Sequence, residues 1–208
     1  MVRYLGPKLR VVRRLRTQCL PGFSKKFNST TRYNSGNLQK NISAYGERLE
    51  EKQKVRFNYG LTDTQLKKYL ELAQRIPGPS GINLLILLEM RLDATLFRVG
   101  FSSSIQQGRQ LITHGHIFVN YSLIQSPSFK VNPGDIIHIN PINGNIIKLI
   151  KRNLIERQAI LEQYPITAKE DSAHKICYSS LKAIILRSIY PREALFKFND
   201  LLILGYYR

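Results

Sequence analysis

The chain contains few of the residues that build metal sites or disulfide scaffolds. Only two cysteines, Cys19 and Cys177, occur among its 208 residues, and neither has a second cysteine or a histidine pair nearby. Because a structural zinc ion needs about four ligands at close spacing, the sequence predicts no metal site. Counting alone allows a disulfide between the two cysteines, but the absence of a signal peptide favours a reducing compartment and two ordinary thiols.

Long apolar runs and enzyme signatures are also missing. No stretch of about 18 apolar residues could form a membrane span, and no strongly hydrophobic amphipathic stripe favours a membrane surface. The sequence has no Ser-His-Asp order, no clustered carboxylate pair and no glycine-rich phosphate loop. We therefore expect no enzymatic activity, no cofactor and no membrane partner.

Acidic residues are scarce, with 14 Asp and Glu against 32 Lys and Arg and a net charge of +18. This balance favours a polyanionic partner and predicts salt-sensitive binding. Residues 1–60 alone hold 14 basic and 3 acidic side chains, so most of the attraction lies in the N-terminal quarter. Because 43% of the residues are hydrophobic, most of the chain should nevertheless fold.

Local signals predict helices in the first half of the chain. Residues 8–16 could form one or two turns, with Leu9, Val12 and Leu15 facing inward and Arg10, Arg13 and Arg14 facing outward. A second helix runs from Ser43, its N-cap, to Phe57. Thr62 and Gln65 have the spacing of a capping box for a third, whose buried stripe is Leu66, Tyr69, Leu70 and Ala73. Residues 82–92 are almost continuously apolar and predict a buried helix.

Residues 88–139 have the most informative pattern. Two short helical segments, the second with a capping-box spacing at Ser104 and Gln107, are followed by His114-Gly115-His116. Two strands are predicted at 117–119 and 136–139, the second announced by the turn sequence Asn-Pro-Gly-Asp. Residues 152–163 look helical, residues 163–180 are hard to place, and 183–187 and 200–204 are apolar runs.

Several motifs together resemble one known family. They are RYLGPKLRVVRRL with LPGF, EKQKVRFNYGLTDTQL, GINLLILLEMRLDATLFRVGF, RQLITHGHIFVN and VNPGDII, and they cover about residues 3–27, 43–76 and 82–140. Their order is similar to that of ribosomal small-subunit protein four, and the closing LFKFNDLLILGYYR resembles the last strand and Tyr-Tyr ending of plastid-encoded members. The chain departs from the family where Asn120-Tyr121 replaces a common Asn-Gly turn and where residues 102–104 are all serine. Only Cys19 stands where some relatives have a zinc-binding cysteine cluster.

The resemblance implies an α+β fold in four parts. A basic extended arm, residues 1–42, precedes a mostly helical domain at residues 43–90. An inserted RNA-binding module, residues 91–150, has two short helices packed on a small antiparallel sheet. Residues 151–208 pack back on the helical domain and complete it.

The resemblance also implies a function, as a structural protein of the small ribosomal subunit. It would bind the 5′ domain of 16S-type ribosomal RNA early in assembly and lie near the messenger RNA entry channel, beside small-subunit proteins three and five, with a role in translational accuracy. The arm from Arg3 to Lys26 would order on binding. The candidate RNA-binding residues are Arg3, Tyr4, Lys8, Arg10, Arg13, Arg14, Arg16, Lys25, Lys26, Lys52, Lys54, Arg56, Arg91, Arg98, Arg109, Gln110, His114, His116 and Lys130.

Some candidates have structural alternatives of similar weight. Arg91 could form an ion pair with Asp93 inside the module, and one of His114 and His116 could cap the preceding helix. Arg109 is expected to contact RNA and to contribute little to stability.

Two other functions use the same module. A pseudouridine synthase would use Asp93 as its catalytic carboxylate, but the chain leaves too few residues for a catalytic domain. A free-standing RNA chaperone would have a shorter chain without the arm signature. The Ile- and Asn-rich composition and the Tyr-Tyr-Arg ending favour a chloroplast ribosome over a bacterial or mitochondrial one.

Overall fold

The computed structural model describes residues 4, 6–24, 43–140, 144–163, 173–177, 181–194 and 196–207, with side chains described except at 158–163. The chain divides into two compact units, Met1–Leu87 with Ala194–Arg208 and Leu88–Glu193. We call them the helical unit and the sheet unit. The division differs from the expected one, because residues 151–193 belong with the module and only the last segment returns to the helical domain.

The helical unit is built from helices at both ends of the chain. Its helices are α1 (Lys8–Arg14), α2 (Ala44–Tyr59), α3 (Asp63–Arg75), α4 (Ser80–Glu89), whose last two residues belong to the sheet unit, and α8 (Asp200–Tyr207). Helix α8 packs on α2, where Nη1 of Arg48 donates to the carbonyl of Gly205 at 3.2 Å. The last segment was predicted as a strand and is a helix. A short apolar run suits either structure, and periodicity alone does not separate them.

The predicted starts of α2 and α3 are confirmed, and α2 continues two residues past its predicted end, to Tyr59. The backbone N–H of Gly46 donates to the Ser43 hydroxyl at 3.2 Å, and Gly60 ends the helix with a left-handed φ of 59°. Thr62 and Gln65 form a reciprocal capping box with bonds of 3.3 and 3.1 Å. These bonds satisfy N–H groups that a helix start leaves without partners.

Residues 6–24 are packed into the helical unit and do not form a free arm. Helix α1 is present as predicted, and the side chains buried here are Val11, Val12, Leu15, Leu20 and Phe23. Leu9 is only half-buried, and Val11 takes the inward position beside Val12. A short bridge between Leu20 and Ser24 closes the segment. Apolar burial therefore holds this part of the arm in place.

The sheet unit combines three helices with a five-stranded antiparallel sheet. The helices are α5 (Leu92–Val99), α6 (Ile105–Thr113) and α7 (Gly144–Gln163), and a 3₁₀ turn covers Pro191–Glu193. The strands are β1 (Ile117–Val119), β2 (Ser122–Leu123), β3 (Ile136–Ile139), β4 (His174–Cys177) and β5 (Lys182–Ile185), in the order β2-β1-β3-β5-β4. The ranges predicted for β1 and β3 are confirmed, and β4 and β5 extend the sheet beyond the expected module.

The two faces of the sheet differ in burial. Alternate residues of β1, β3 and β5 are buried and form the apolar face: Ile117, Val119, Ile137, Ile139, Ala183 and Ile185. The residues between them point to the opposite face, because side chains alternate along a strand. That second face carries Phe118, His138 and Lys182, which are paired across the three strands.

The β1–β2 turn keeps a tight two-residue form without glycine. Asn120 and Tyr121 both have positive φ, 50° and 65°, and Val119 pairs with Ser122 across the turn. The Asn120 side chain donates to Oδ1 of Asp135 at 2.8 Å and accepts from the backbone N–H of Ile136 at 3.0 Å. These bonds hold a backbone conformation that L-residues otherwise avoid.

Candidate nucleic-acid interface

Helix α1 presents arginines on the side opposite its buried residues. The exposed side chains are Arg10, Arg13 and Arg14, as predicted. Val11 and Val12 are buried on the other side of the helix, so the guanidinium groups are carried by a packed element. No acidic residue lies in the first turn of α1, and such a row of cations suits a phosphate backbone.

Other predicted residues of the arm have structural contacts. Nζ of Lys8 donates to the carbonyl of Phe23 at 2.9 Å, and burial lowers the pKa of Lys8. The centre of the Tyr4 ring lies 5.9 Å from the ring centre of Phe57 and 6.1 Å from that of Phe23. Arg16 is exposed and lies 3.8 Å from Glu50. The predicted site residues Arg3, Lys25 and Lys26 lie outside the described residues.

The basic side chains of α2 have partners within the helical unit. Lys52 is buried, donates to Oδ2 of Asp63 at 2.8 Å and lies 4.1 Å from the ring centre of Tyr206. Burial alone would lower the pKa of Lys52, but the hydrogen bonds to Asp63 and Tyr206 raise it overall. Two further pairs are Lys54 with Glu51 and Arg56 with Gln53. Lys52 is thus placed for packing.

Two arginines of the sheet unit share one buried carboxylate. Arg91 forms a bidentate pair with Asp93, at 3.0 Å from Nε and 2.9 Å from Nη2. Nε of Arg109 donates to Oδ2 of the same carboxylate at 2.7 Å. Relative exposure is 3% for Arg91, 8% for Arg109 and 0% for Asp93. We call these three residues the Asp93 cluster, and its geometry favours the structural alternative for Arg91.

Arg98 is buried in a separate pair. Its Nε and Nη2 donate to Oε2 of Glu89 at 3.2 and 2.7 Å, and its Nη1 donates to the carbonyl of Glu193 at 3.0 Å. All of these hydrogen bonds are made to atoms of the sheet unit. The candidates Arg91, Arg98 and Arg109 thus face carboxylates in the interior.

Four candidates of the sheet unit remain accessible. Gln110, His114 and Lys130 are exposed and His116 is half-buried. The His114 and His116 rings are parallel, with centres 6.1 Å apart, and burial followed by the charge of His114 lowers the pKa of His116. The backbone of His114 ends α6, where its N–H donates to the carbonyl of Gln110 at 3.0 Å.

Sequence reasoning missed two groups of accessible side chains. One is an exposed basic row on α7, Lys148, Lys151 and Arg152. The other is the second face of the sheet, with Phe118, Tyr121, His138 and Lys182. The strands predicted at 117–119 and 136–139 contained a signal for the second group. Side chains alternate between the two faces of a strand, so Phe118 and His138 point away from the apolar residues on either side of them.

The described residues contain no group of three or more His, Cys, Asp and Glu side chains that could hold a metal ion. Cys19 is half-buried and Cys177 is exposed, and neither forms a disulfide among the described residues. None of the helices in the described ranges is long and apolar enough to cross a membrane.

Comparison with known proteins gives consistent results along the chain. Residues 3–89 match the model of the ribosomal protein S4/S9 N-terminal domain, and residues 90–137 match that of the S4 domain. The small ribosomal subunit protein uS4 of Rippkaea orientalis is 41% identical over the whole chain and 98% of its own length. Two proteins named uS4c, from Phaeodactylum tricornutum and Staurastrum punctulatum, are each 38% identical with the same coverage.

Proposed function

The chain belongs to the ribosomal protein S4 family, and from that premise we propose that it is a structural constituent of a small ribosomal subunit. Its role there is to bind the 5′ domain of 16S-type ribosomal RNA early in assembly. In the mature subunit it lies near the messenger RNA entry channel, beside small-subunit proteins three and five, and contributes to translational accuracy.

The exposed arginines of α1 carry the proposal of RNA binding. They extend from a helix whose opposite side is buried, so less side-chain and backbone freedom is lost on binding than from a disordered arm. Arginine pairs with phosphate oxygens through two parallel N–H bonds and also stacks on exposed bases. The high positive charge of residues 1–60 adds long-range attraction to the same region.

The accessible residues of the sheet unit supply a second set of contacts. Gln110, His114, His116 and Lys130 offer donors and a pair of parallel rings at its surface. Arg91, Arg98 and Arg109 do not belong to this surface, because their guanidinium groups are held by buried carboxylates. We therefore assign those three arginines to structure and not to the RNA contact.

The enzyme alternative has no support from the geometry of Asp93. Its carboxylate is fully buried and accepts bonds from two arginines and from the backbone N–H of Ala94 at 2.9 Å. A catalytic carboxylate must reach its substrate within hydrogen-bonding distance, and this one is enclosed by its partners.

We propose that the ribosome to which this protein belongs is a plastid one. Relatives named uS4c and cyanobacterial relatives named uS4 match the chain to similar extents, and the Ile- and Asn-rich composition supports the plastid. Crosslinking in the native source, followed by sequencing of the attached RNA, tests both points. We expect reads in the 5′ domain of plastid small-subunit RNA, whereas a bacterial or mitochondrial sequence would reassign the compartment.

A binding experiment with the full chain tests the α1 contact. The triple variant R10Q/R13Q/R14Q removes three exposed charges without touching the buried side of the helix. For a transcript of the 5′ domain, we expect the affinity to fall about tenfold or more. The slope of log affinity against log salt concentration should decrease in magnitude by about three.

A matched control removes the same charge from another helix of the same unit. Lys67, Lys68 and Arg75 are exposed on α3, so the variant K67Q/K68Q/R75Q has the same net charge as the α1 triple. A clearly smaller loss in this control supports a specific contact at α1. Equal losses in both variants would show that only net charge matters and would overturn the assignment to α1.

A further inference from the structure

The second face of the sheet carries a cluster of rings and a cation. The Phe118 and His138 rings are stacked, with centres 5.2 Å apart and planes 18° from parallel. The Tyr121 ring leans over His138 at 5.0 Å, and Nζ of Lys182 lies 5.7 Å from the Tyr121 ring centre. We call these four residues the aromatic platform.

The strand register places the platform at the centre of the open face. Phe118 pairs with His138, and His138 pairs with Lys182, so three neighbouring strands contribute to one row. Lys175 of β4 is exposed on the same face, next to Ile184 of β5. None of the strand residues on this face is acidic within the described chain.

Tyr121 occupies its position at a cost to the backbone. Both turn residues adopt the left-handed conformation, which a glycine accepts without strain and a tyrosine does not. The ring is not buried in return, since Tyr121 is 69% exposed. A strained and exposed aromatic side chain is a reason to look for a ligand.

His138 provides a second observation at the same place. Its Nδ1 is covered from solvent and has no hydrogen-bond partner among the described residues. Covered polar atoms in folded proteins are normally satisfied, and those that are not call for an explanation such as an unseen ligand group. The orphaned atom lies in the ring that Phe118 and Tyr121 both contact.

We propose that the aromatic platform is a stacking site for an unpaired base of RNA, with the phosphate taken by Lys182. This inference rests on the proposed function, since it adds a contact to the same RNA. Sheets that bind single-stranded RNA stack bases on exposed aromatic rings and place cations beside them. Lys175, Lys182 and the absence of acidic strand residues on the face favour this polyanion over a protein partner.

Substitutions at Tyr121 separate the platform from simple packing. Tyr121→Gly removes the ring and also relieves the left-handed backbone, so the midpoint of thermal unfolding should stay equal or rise. Affinity of the full chain for the 5′-domain transcript should nevertheless fall about tenfold, the effect of losing one stacked base. Tyr121→Phe keeps the ring and should bind within about twofold of the unchanged chain.

The salt dependence of RNA affinity distinguishes a stacking contact from a contact between a cation and a phosphate. Tyr121→Gly should leave the slope of affinity against salt unchanged, whereas Lys182→Gln should lower it by about one. A 4-thiouridine-substituted transcript should also form photo-crosslinks within residues 117–123 or 136–139.

Three outcomes would overturn the inference. Unchanged affinity in Tyr121→Gly, while the original chain binds with steep salt dependence, would reject the platform and leave the proposed function standing. Failure of the original chain to bind the transcript would reject the proposed function and the platform with it. If Tyr121→Gly loses binding to a purified small-subunit protein while its RNA affinity is unchanged, the face is a protein interface.

Discussion

The arginines of α1 and those of the sheet unit have the same charge and occupy opposite environments. Arg10 and Arg14 are exposed on a helix without acidic residues in its first turn. Arg91 and Arg109 are buried on Asp93. The difference shows that a basic residue within an RNA-binding motif is not by itself evidence of RNA contact, because a nearby carboxylate can draw it inward.

The two environments also have different energetic consequences. An exposed arginine adds little to stability, since ion pairs at a surface are worth about 0–1 kcal/mol. A buried one cannot lose its carboxylate without leaving an uncompensated charge in the interior, which costs about 3–5 kcal/mol. Changes at α1 should therefore act on RNA affinity, and changes in the Asp93 cluster should act on stability.

The largest effect should follow from removing residues 1–24. The deletion removes five buried apolar side chains, among them Val12, Leu20 and Phe23. Burial of each such side chain stabilises the fold by about 1.5–3 kcal/mol. We expect the helical unit to lose about 5 kcal/mol or more, and its cooperative transition in urea to disappear. The triple variant of α1 is the control, because it keeps the buried side of that helix. An unchanged transition in the deleted chain would mean that the segment is a free arm.

The next effect should come from Asp93→Asn, which keeps the shape of the side chain and removes its charge. Arg91 and Arg109 would then lose the buried negative charge that they share, at a cost of about 3–5 kcal/mol in the free energy of unfolding. Glu156→Gln is the matched control, since its ion pair with Arg152 is exposed and should be worth less than about 1 kcal/mol. Similar losses in both variants would contradict a structural role for the cluster.

Arg109→Ala should have a smaller effect, because Asp93 keeps its bidentate bonds to Arg91. We expect a loss of about 1–3 kcal/mol in denaturant unfolding and little change in the RNA affinity of the folded protein. This reverses the expectation from sequence, which gave Arg109 to RNA. A variant with normal stability and weakened RNA binding would restore the earlier interpretation.

Local sequence signals predicted the elements that local bonds determine. The N-cap at Ser43, the capping box at Thr62 and the ranges of β1 and β3 depend on neighbouring residues, and each is confirmed. The α+β fold and the family also follow from motifs that stand close together in the chain. These features need no knowledge of how distant segments pack.

Several features that depend on distant contacts were not predicted. Arg109 meets Asp93 across 16 residues, and Arg98 meets Glu89 across nine, so composition could not assign them to the interior. The strand β5 joins β3 across more than 40 residues, and the short run that forms α8 has no decisive period. The aromatic platform needs the register of three strands, which the sequence indicates only through alternation.

The smallest effect should be the dependence of stability on His174, which lies near the buried arginines. Burial, followed by the positive charges of Arg157 and Arg98, lowers the pKa of His174 to about 4, against about 6.5 in an unfolded chain. Below pH 6.5 the unfolded state therefore binds a proton that the folded state does not, and stability falls as the pH drops towards 4. At pH 5 the loss should be about 1–2 kcal/mol, and His174→Gln should remove it. If the stability of His174→Gln falls with pH as steeply as that of the original chain, the burial of this imidazole is contradicted.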